Sequence, residues 1–243
     1  MSFLTSVFTF GAEYSLLFEN SSQMLLVITE DDSAQTGVLY KFFRDTGRDG
    51  WQMSGDKIPV VVGRSGLAWG MEEPNGGMPH KVEGDGKSPA GVFPLGACFG
   101  FAPETEMTDL KIPYLHITKL TECVDDRNSK YYNTIVERDR VNKIDWNSSE
   151  KMRQIEPQYK IGIIVNYNTE SPKSGNGSCI FLHIWEAPSH PTSGCTAMSE
   201  PHLRNIATWL DDKQNPILVQ LTKPLYKALK NSWHLPEIAT VEK

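Results

Sequence analysis

The sequence predicts a mainly β chain with one or two short helices, on two observations. Short runs rich in branched and aromatic residues recur along the chain, most of them bounded by Gly, Pro, Asn or Asp. No regular alternation of strand-like and helix-like segments accompanies them, which argues against a parallel, doubly wound sheet. The runs fall at residues 23–29, 37–44, 58–64, 114–118, 160–167, 179–185 and 217–221. Each is of strand length and far below the roughly 20 apolar residues that span a bilayer, so no membrane-spanning segment is expected.

One helix is well signalled. Ser199 suits an N-cap and Pro201 a first turn, and Leu203, Ile206, Ala207 and Leu210 then form an apolar stripe at helical spacing. Asp211 and Asp212 oppose the dipole at its end, so fraying is expected there. A second, weaker helix covers residues 223–233.

At 243 residues the chain is read as a single domain, 1–243, with 39% apolar residues to build a core. The formal net charge is -6 and no long basic run is present, which makes nucleic acid an unsuitable partner. The stretch Met1 to Asn20 lacks the basic start and continuous apolar core of a secretory leader. That leaves two readings, a cytoplasmic chain or one whose leader has been replaced by a new Met1.

The most informative local feature is a His on a strand-like run, Phe181-Leu182-His183-Ile184-Trp185, followed by Thr192-Ser193-Gly194-Cys195-Thr196-Ala197-Met198. Only a thiolate attacks carbonyls, and an imidazole that takes the thiol proton supplies one, as does a helix N-terminus. The turn at Gly194 is read as opening a helix, with the Gly194 and Cys195 N–H groups placed to hold an oxyanion. The bland alternative is a small buried Cys and a hydrogen-bonded core His.

Cys98, Cys123, Cys179 and Cys195 are too few and scattered for a disulfide framework. With Cys195 free, three remain, so at least one more must be a free and most simply buried thiol. A metal site from Cys179, His183 and Cys195 lacks a fourth ligand at typical zinc spacing, and no metal is expected.

Gly63-Arg64-Ser65-Gly66 and Trp69 precede a second block, Gly84-Asp85-Gly86-Lys87-Ser88-Pro89-Ala90-Gly91-Val92-Phe93. Gly86-Lys87-Ser88 resembles the tail of a phosphate-binding loop, but Lys81 stands where its first Gly belongs and Pro89 blocks the helix it needs. The block reads instead as a turn at Gly84-Asp85-Gly86 and an extended segment from Ser88-Pro89. Arg64 suits a substrate carboxylate or a surface ion pair, and Trp69 a groove wall or the core. Residues 122–158, which include Tyr131, Tyr132 and Asn133, are polar and weakly periodic. They suit either a binding loop or lid, or a solvated insertion.

Taken together, these blocks resemble the L,D-transpeptidase catalytic-domain family, the YkuD-like peptidoglycan enzymes. The similarity rests on Gly84–Phe93, on the His183 strand and on the Ser193-Gly194-Cys195 turn, and runs from about Gly63 to Leu221. Ser193 stands where many members carry His or Arg, Ala197 where many carry Arg, and Ile184 where a small residue is frequent. Gly194-Cys195-Thr196-Ala197-Met198 is similar to a branch of the family with those residues.

The resemblance implies a β-sandwich, with Cys195 as acylated nucleophile, His183 as its base, and Gly194 and Cys195 as oxyanion donors. It implies Arg64, Trp69, Trp185, Ser193, Tyr132 and Asn133 as substrate contacts, and no organic cofactor. The implied partner is a peptidoglycan stem peptide, in a bacterial cell envelope and most simply the periplasm. The implied activity is L,D-transpeptidation of a tetrapeptide with loss of D-alanine. Hydrolysis of the same thioester, or a non-catalytic peptidoglycan-binding module, are the alternatives.

Overall fold

The computed structural model describes residues 12–45, 50–71 and 77–238, so the stretch read for a leader is described only from residue 12. The chain opens with α1 (Ala12–Asn20), then β1 (Gln23–Thr29), β2 (Thr36–Phe43), β3 (Gln52–Met53), β4 (Ile58–Val61) and β5 (Leu67–Trp69). β6 (Ser88–Gly100), β7 (Tyr114–His116), β8 (Thr121–Val124), β9 (Thr134–Glu137) and β10 (Ser149–Lys151) follow. β11 (Ile161–Val165), β12 (Phe181–Ile184) and β13 (Thr196–Met198) lead to α2 (Glu200–Trp209), β14 (Ile217–Thr222) and α3 (Lys223–Leu229).

The main sheet runs β1-β14-β6-β11-β12-β13-β4-β2, and β2 pairs back onto β1. The mainly β fold expected from the sequence is therefore what the structure shows, with the two faces of the expected sandwich continuous around a barrel-like ring. Pairing is mixed: β1 with β14 and β12 with β13 are parallel, the other links in the ring antiparallel. β1 and β14 are buried along their whole length, as their largely apolar runs require. Gln220, the polar break in β14, accepts from Thr196 Oγ1 and donates to Pro89 O through its amide.

All seven strand-like runs hold strands, with ends shifted by a few residues. The longest strand, β6, was legible only as an extended segment starting at Ser88-Pro89. Pro89, Gly91, Pro94 and Gly96 interrupt its alternation. They also explain its shape, because β6 changes partner along its length, from β5 to β14 to β11 and β7.

Three α-helices are described, where one or two were expected. α2 carries the predicted stripe: Leu203, Ile206, Ala207 and Leu210 are each 0% exposed and pack in the main core beside β11 and β12. The Ser199 backbone caps the helix, but its hydroxyl bonds His202 Nδ1 at 2.9 Å instead of the backbone. Asp211 does not merely fray the end. It accepts from Lys213 N at 3.0 Å and starts the short 3-10 turn Asp212–Gln214.

The polar stretch 122–158 is not an irregular loop. It folds as a second sheet, β10-β8-β9, around the carboxylate of Glu122, whose side chain is only 3% exposed. Burial alone would raise that carboxyl, yet donors from Lys151, Ser149, Trp146 and Arg138 pull it down to about 2. Among the ties that fix this sheet to the barrel are the disulfide Cys123–Cys179 and the bond from Ile184 N to Gln158 O, 3.1 Å. Tyr132 and Asn133 belong to this scaffold.

A single cross-strand row positions the site. Phe99 on β6 pairs with Gly162 on β11, Gly162 with His183 on β12, and His183 with Ala197 on β13. His183 is thus flanked by the two smallest residue types, which leaves space for its ring. A Cβ on Gly162 would overlap the Phe99 ring, and that ring is held edge-to-face by Tyr159 and Phe181. Gly162→Ala should therefore lower unfolding free energy by about 1–3 kcal/mol, the usual scale of overpacking. Urea denaturation checks this, and an unchanged midpoint would mean the row can relax.

Candidate active site

Alternation along β12 divides its side chains between two clusters. Leu182 and Ile184 enter the main core, while Phe181 shares the opposite face with His183. Phe181 joins a second cluster with Phe99, Tyr159, Cys123, Cys179 and Cys195. On that face a cavity of about 270 Å³ is lined by Cys195, His183, Tyr159, Glu150, Trp185 and Ser193, with His190 and Glu186 at the same opening.

Cys195 does not lie at a helix N-terminus as the sequence suggested. Its turn opens β13, and α2 begins only at Glu200; a helix dipole acts within its first turn and gives this thiol little. The turn is instead clamped at the Cys195 carbonyl. That oxygen accepts from Ser88 Oγ at 2.8 Å and Thr192 Oγ1 at 2.5 Å. Ser88, 0% exposed, also accepts from Gly63 N at 2.9 Å. The Gly-Asp-Gly-Lys-Ser-Pro block thus carries the floor beneath the Cys195 turn. Asp85 folds that block by accepting from Val82 N, Lys87 N and Lys81 Nζ.

The Cys195 sulfur is 3.3 Å from Phe181 N, which donates to it, and the thiol donates to Cys179 O at 3.4 Å. Tyr159 packs in the same cluster and its hydroxyl bears electrostatically on this sulfur. Burial pushes the Cys195 thiol far above its ordinary value, with the Glu150 carboxylate adding to the rise, so the resting side chain is a neutral thiol.

His183 is 8% exposed, and its Nδ1 lies 2.8 Å from Ile184 O. A carbonyl can only accept, so Nδ1 carries the proton and Nε2 holds the free lone pair. Burial lowers the imidazole to about 4, against a smaller opposing effect of the Ile184 bond, so the ring is neutral at pH 7. No hydrogen bond joins His183 to Cys195 among the described residues. They meet across the cavity, with the Tyr159 ring 5.4 Å from the imidazole, centroid to centroid.

The remaining residues singled out in the sequence divide into two groups. Trp185 and Ser193 line the cavity, and Arg64 stands at its rim, with Nη1 3.1 Å from Ser193 Oγ. Trp69, Tyr132 and Asn133 do not reach it. Trp69 is 2% exposed and packs on Trp233 in the main core, the alternative its apolar surface allowed. Tyr132 is a strut: its hydroxyl donates to Glu83 Oε2 at 2.6 Å and accepts from Gly177 N at 3.0 Å. Asn133 spends its amide on Tyr167 O, Asn168 O and Cys179 N. It thereby fixes Cys179, whose carbonyl faces the Cys195 sulfur. Of the two oxyanion donors expected, the Gly194 N–H is committed to Thr192 Oγ1 at 3.1 Å. The Cys195 N–H makes no hydrogen bond among the described residues.

Cys179 is oxidised to Cys123, so its sulfur is no metal ligand, while Cys98 is free and buried. Sequence reasoning missed Tyr159 and Glu150. They lie nine positions apart in the polar stretch or at its edge, and no local pattern links them to Cys195. Ser88 and Thr192 lay inside quoted motifs, Ser88 as the start of an extended segment and Thr192 ahead of the Gly194-Cys195 turn, and neither was linked to the Cys195 carbonyl.

The family model of the L,D-transpeptidase catalytic domain, YkuD, matches residues 27–219, and the chain belongs to that family. No curated protein and no solved structure matches it. The family acts on peptidoglycan, and among the described residues no helix is long and apolar enough to cross a membrane.

Two predictions follow from this geometry. Ser88→Ala removes one of the two hydroxyls on the Cys195 carbonyl and leaves Gly63 N–H buried and unpaired. It should cost about 1–3 kcal/mol of stability, read by chemical denaturation; no loss would mean the clamp is redundant. The second concerns His183, whose folded value of about 4 lies below the ordinary 6.5. The neutral ring contributes stability that is complete above pH 6.5 and lost as pH falls toward 4. His183→Gln should therefore be about 2–3 kcal/mol more stable relative to the parent at pH 4 than at pH 7.5. Parallel pH profiles of the two chains would contradict the buried neutral imidazole.

Proposed function

We propose that this chain is a peptidoglycan L,D-transpeptidase that works through a Cys195 thioester. One observation carries the reading. The Cys195 sulfur and the His183 ring open onto one cavity, and Nδ1 is committed to Ile184 O so that Nε2 is the free base. The thiol attacks the carbonyl carbon of the third, L-centred residue of a tetrapeptide stem, and Nε2 takes its proton. The Cys195 N–H donates to the oxyanion that forms. His183 then returns the proton to the departing amine of D-alanine, leaving the tripeptide acyl group on sulfur. An acceptor amine displaces the sulfur, gives its proton to His183 and completes the cross-link.

A cavity of about 270 Å³ has room for the scissile bond and the terminal D-residue, with the rest of the stem outside. Arg64, at the rim beside Ser193, is the cation placed to hold a stem carboxylate. Ala197, fully buried and paired with His183, supplies no such charge. The disulfide favours an oxidising compartment, which supports action in the cell envelope.

Incubation with a disaccharide tetrapeptide, with and without excess D-amino acid, tests the assignment. Exchange or cross-linked products are expected; tripeptide alone at every acceptor concentration would make the enzyme an L,D-carboxypeptidase. Cys195→Ala should abolish turnover with the fold intact, and His183→Asn should slow it by roughly 100-fold or more. Turnover retained in Cys195→Ala would remove the mechanism. No turnover by the parent chain on any stem would leave the binding-module reading.

A further inference from the structure

Glu150 enters the cavity from β10 with no cation as ion-pair partner among the described residues: its hydrogen bond there is from Tyr159 Oη, 2.6 Å from Oε2. Tyr159 is 3% exposed, packs in the same second cluster as Cys195 and lines the same cavity, and its hydroxyl bears electrostatically on the Cys195 sulfur. A phenol has one proton to give. The hydroxyl serves the carboxylate here, and the sulfur in the same cluster is the other acceptor open to that one proton.

We infer that Glu150 is a positioning residue for the nucleophile, its protonation state deciding whether the Tyr159 O–H serves the carboxylate or the Cys195 sulfur. The inference rests on the reading of Cys195 as nucleophile. With Glu150 protonated, its O–H donates to Tyr159 Oη, and the Tyr159 O–H turns to the sulfur and favours the thiolate. When Glu150 releases its proton to solvent, the carboxylate recaptures the Tyr159 O–H. The sulfur then loses a donor and gains a negative neighbour, and both changes favour the thiol.

The surroundings put this exchange in the working range of pH. Burial raises the Glu150 carboxyl to about 7, with the charges of Asp125 and Glu83 adding to the rise. Across the cavity the ionisable neighbours are His183, His190 and Glu186. The cation bearing on Cys195 is Lys81, itself paired with Asp85 at 2.8 Å. Lys151, next to Glu150 in sequence, is taken by Glu122 at 2.6 Å.

The rate of Cys195 alkylation by iodoacetamide, followed against pH in the intact chain with the adduct located by mass spectrometry, tests the coupling. The parent should show an inflection near pH 7 besides that of the thiol. Glu150→Gln, which imitates the protonated acid, should remove it. Its rates should match the parent below about pH 6 and exceed them by about tenfold above pH 8, one unit in the thiol's apparent value. In a Tyr159→Phe background the Glu150→Gln gain should shrink to less than half. An equal gain with and without the hydroxyl would reduce Glu150 to a through-space charge and overturn the inference, as would an inflection that survives Glu150→Gln.

If the Glu150 variants fail to fold, carbon-13 NMR of the Glu150 carboxyl in the otherwise unaltered chain decides. Its midpoint should shift when Cys195 is capped with methyl methanethiosulfonate, because coupling between two sites is reciprocal. An unmoved midpoint would overturn the inference. These titrations read protons on the thiol and the carboxyl, so failure of the transpeptidase reading would appear in turnover and leave them unaffected.

Discussion

The register that aligns Phe99, Gly162, His183 and Ala197 across β6, β11, β12 and β13 is the constraint on which the site depends. A slip of one residue would turn His183 into the main core and put Leu182 or Ile184 in the cavity. Within the row, Gly162 and Ala197 give the imidazole its space, and Phe99 fills what the glycine leaves open. The closed ring of strands makes such a slip costly, since no edge of these four strands is free to move alone.

Two further devices bring the thiol to that row. Ser88 and Thr192 grip the Cys195 carbonyl, so the sulfur is aimed by its own turn and by one distant segment. The disulfide and Asn133 do the same for Cys179, whose carbonyl receives the thiol proton. The polar sheet at 122–158 is therefore part of the active site's frame. It carries Glu150, is tied to β12 through Gln158, and holds Cys179 in a left-handed conformation at φ 55°.

Electrostatically the resting site is neutral at its centre and acidic at its edge. Burial suppresses both the thiolate and the imidazolium, so a charge-separated pair is absent at rest and, in the proposed mechanism, would form only during the reaction. A low local dielectric then makes each fixed dipole, the Ile184 carbonyl and the Phe181 and Cys195 N–H groups, more effective than in water.

Much of this was legible in the sequence, for definite reasons. β12 could be read from its run of branched and aromatic residues and α2 from its apolar stripe at helical spacing, and Gly194-Cys195 because turn and thiol are adjacent. Arg64 and Ser193 fell on the rim for the same local reason. Trp69, Tyr132 and Asn133 lie away from the Cys195 cavity, and their places were not legible because polarity and aromaticity do not reveal burial. Asn133 is polar because it caps three backbone groups, and Tyr132 because Glu83 needs a donor. Glu150 and Tyr159 were invisible, since their link to Cys195 exists only after the second sheet docks. The most direct test of the central claim is acid-quenched mass spectrometry of the chain during turnover of a tetrapeptide stem. The account predicts a tripeptide acyl group on the peptide containing Cys195; its appearance on Cys98, or on no cysteine while product accumulates, would contradict it.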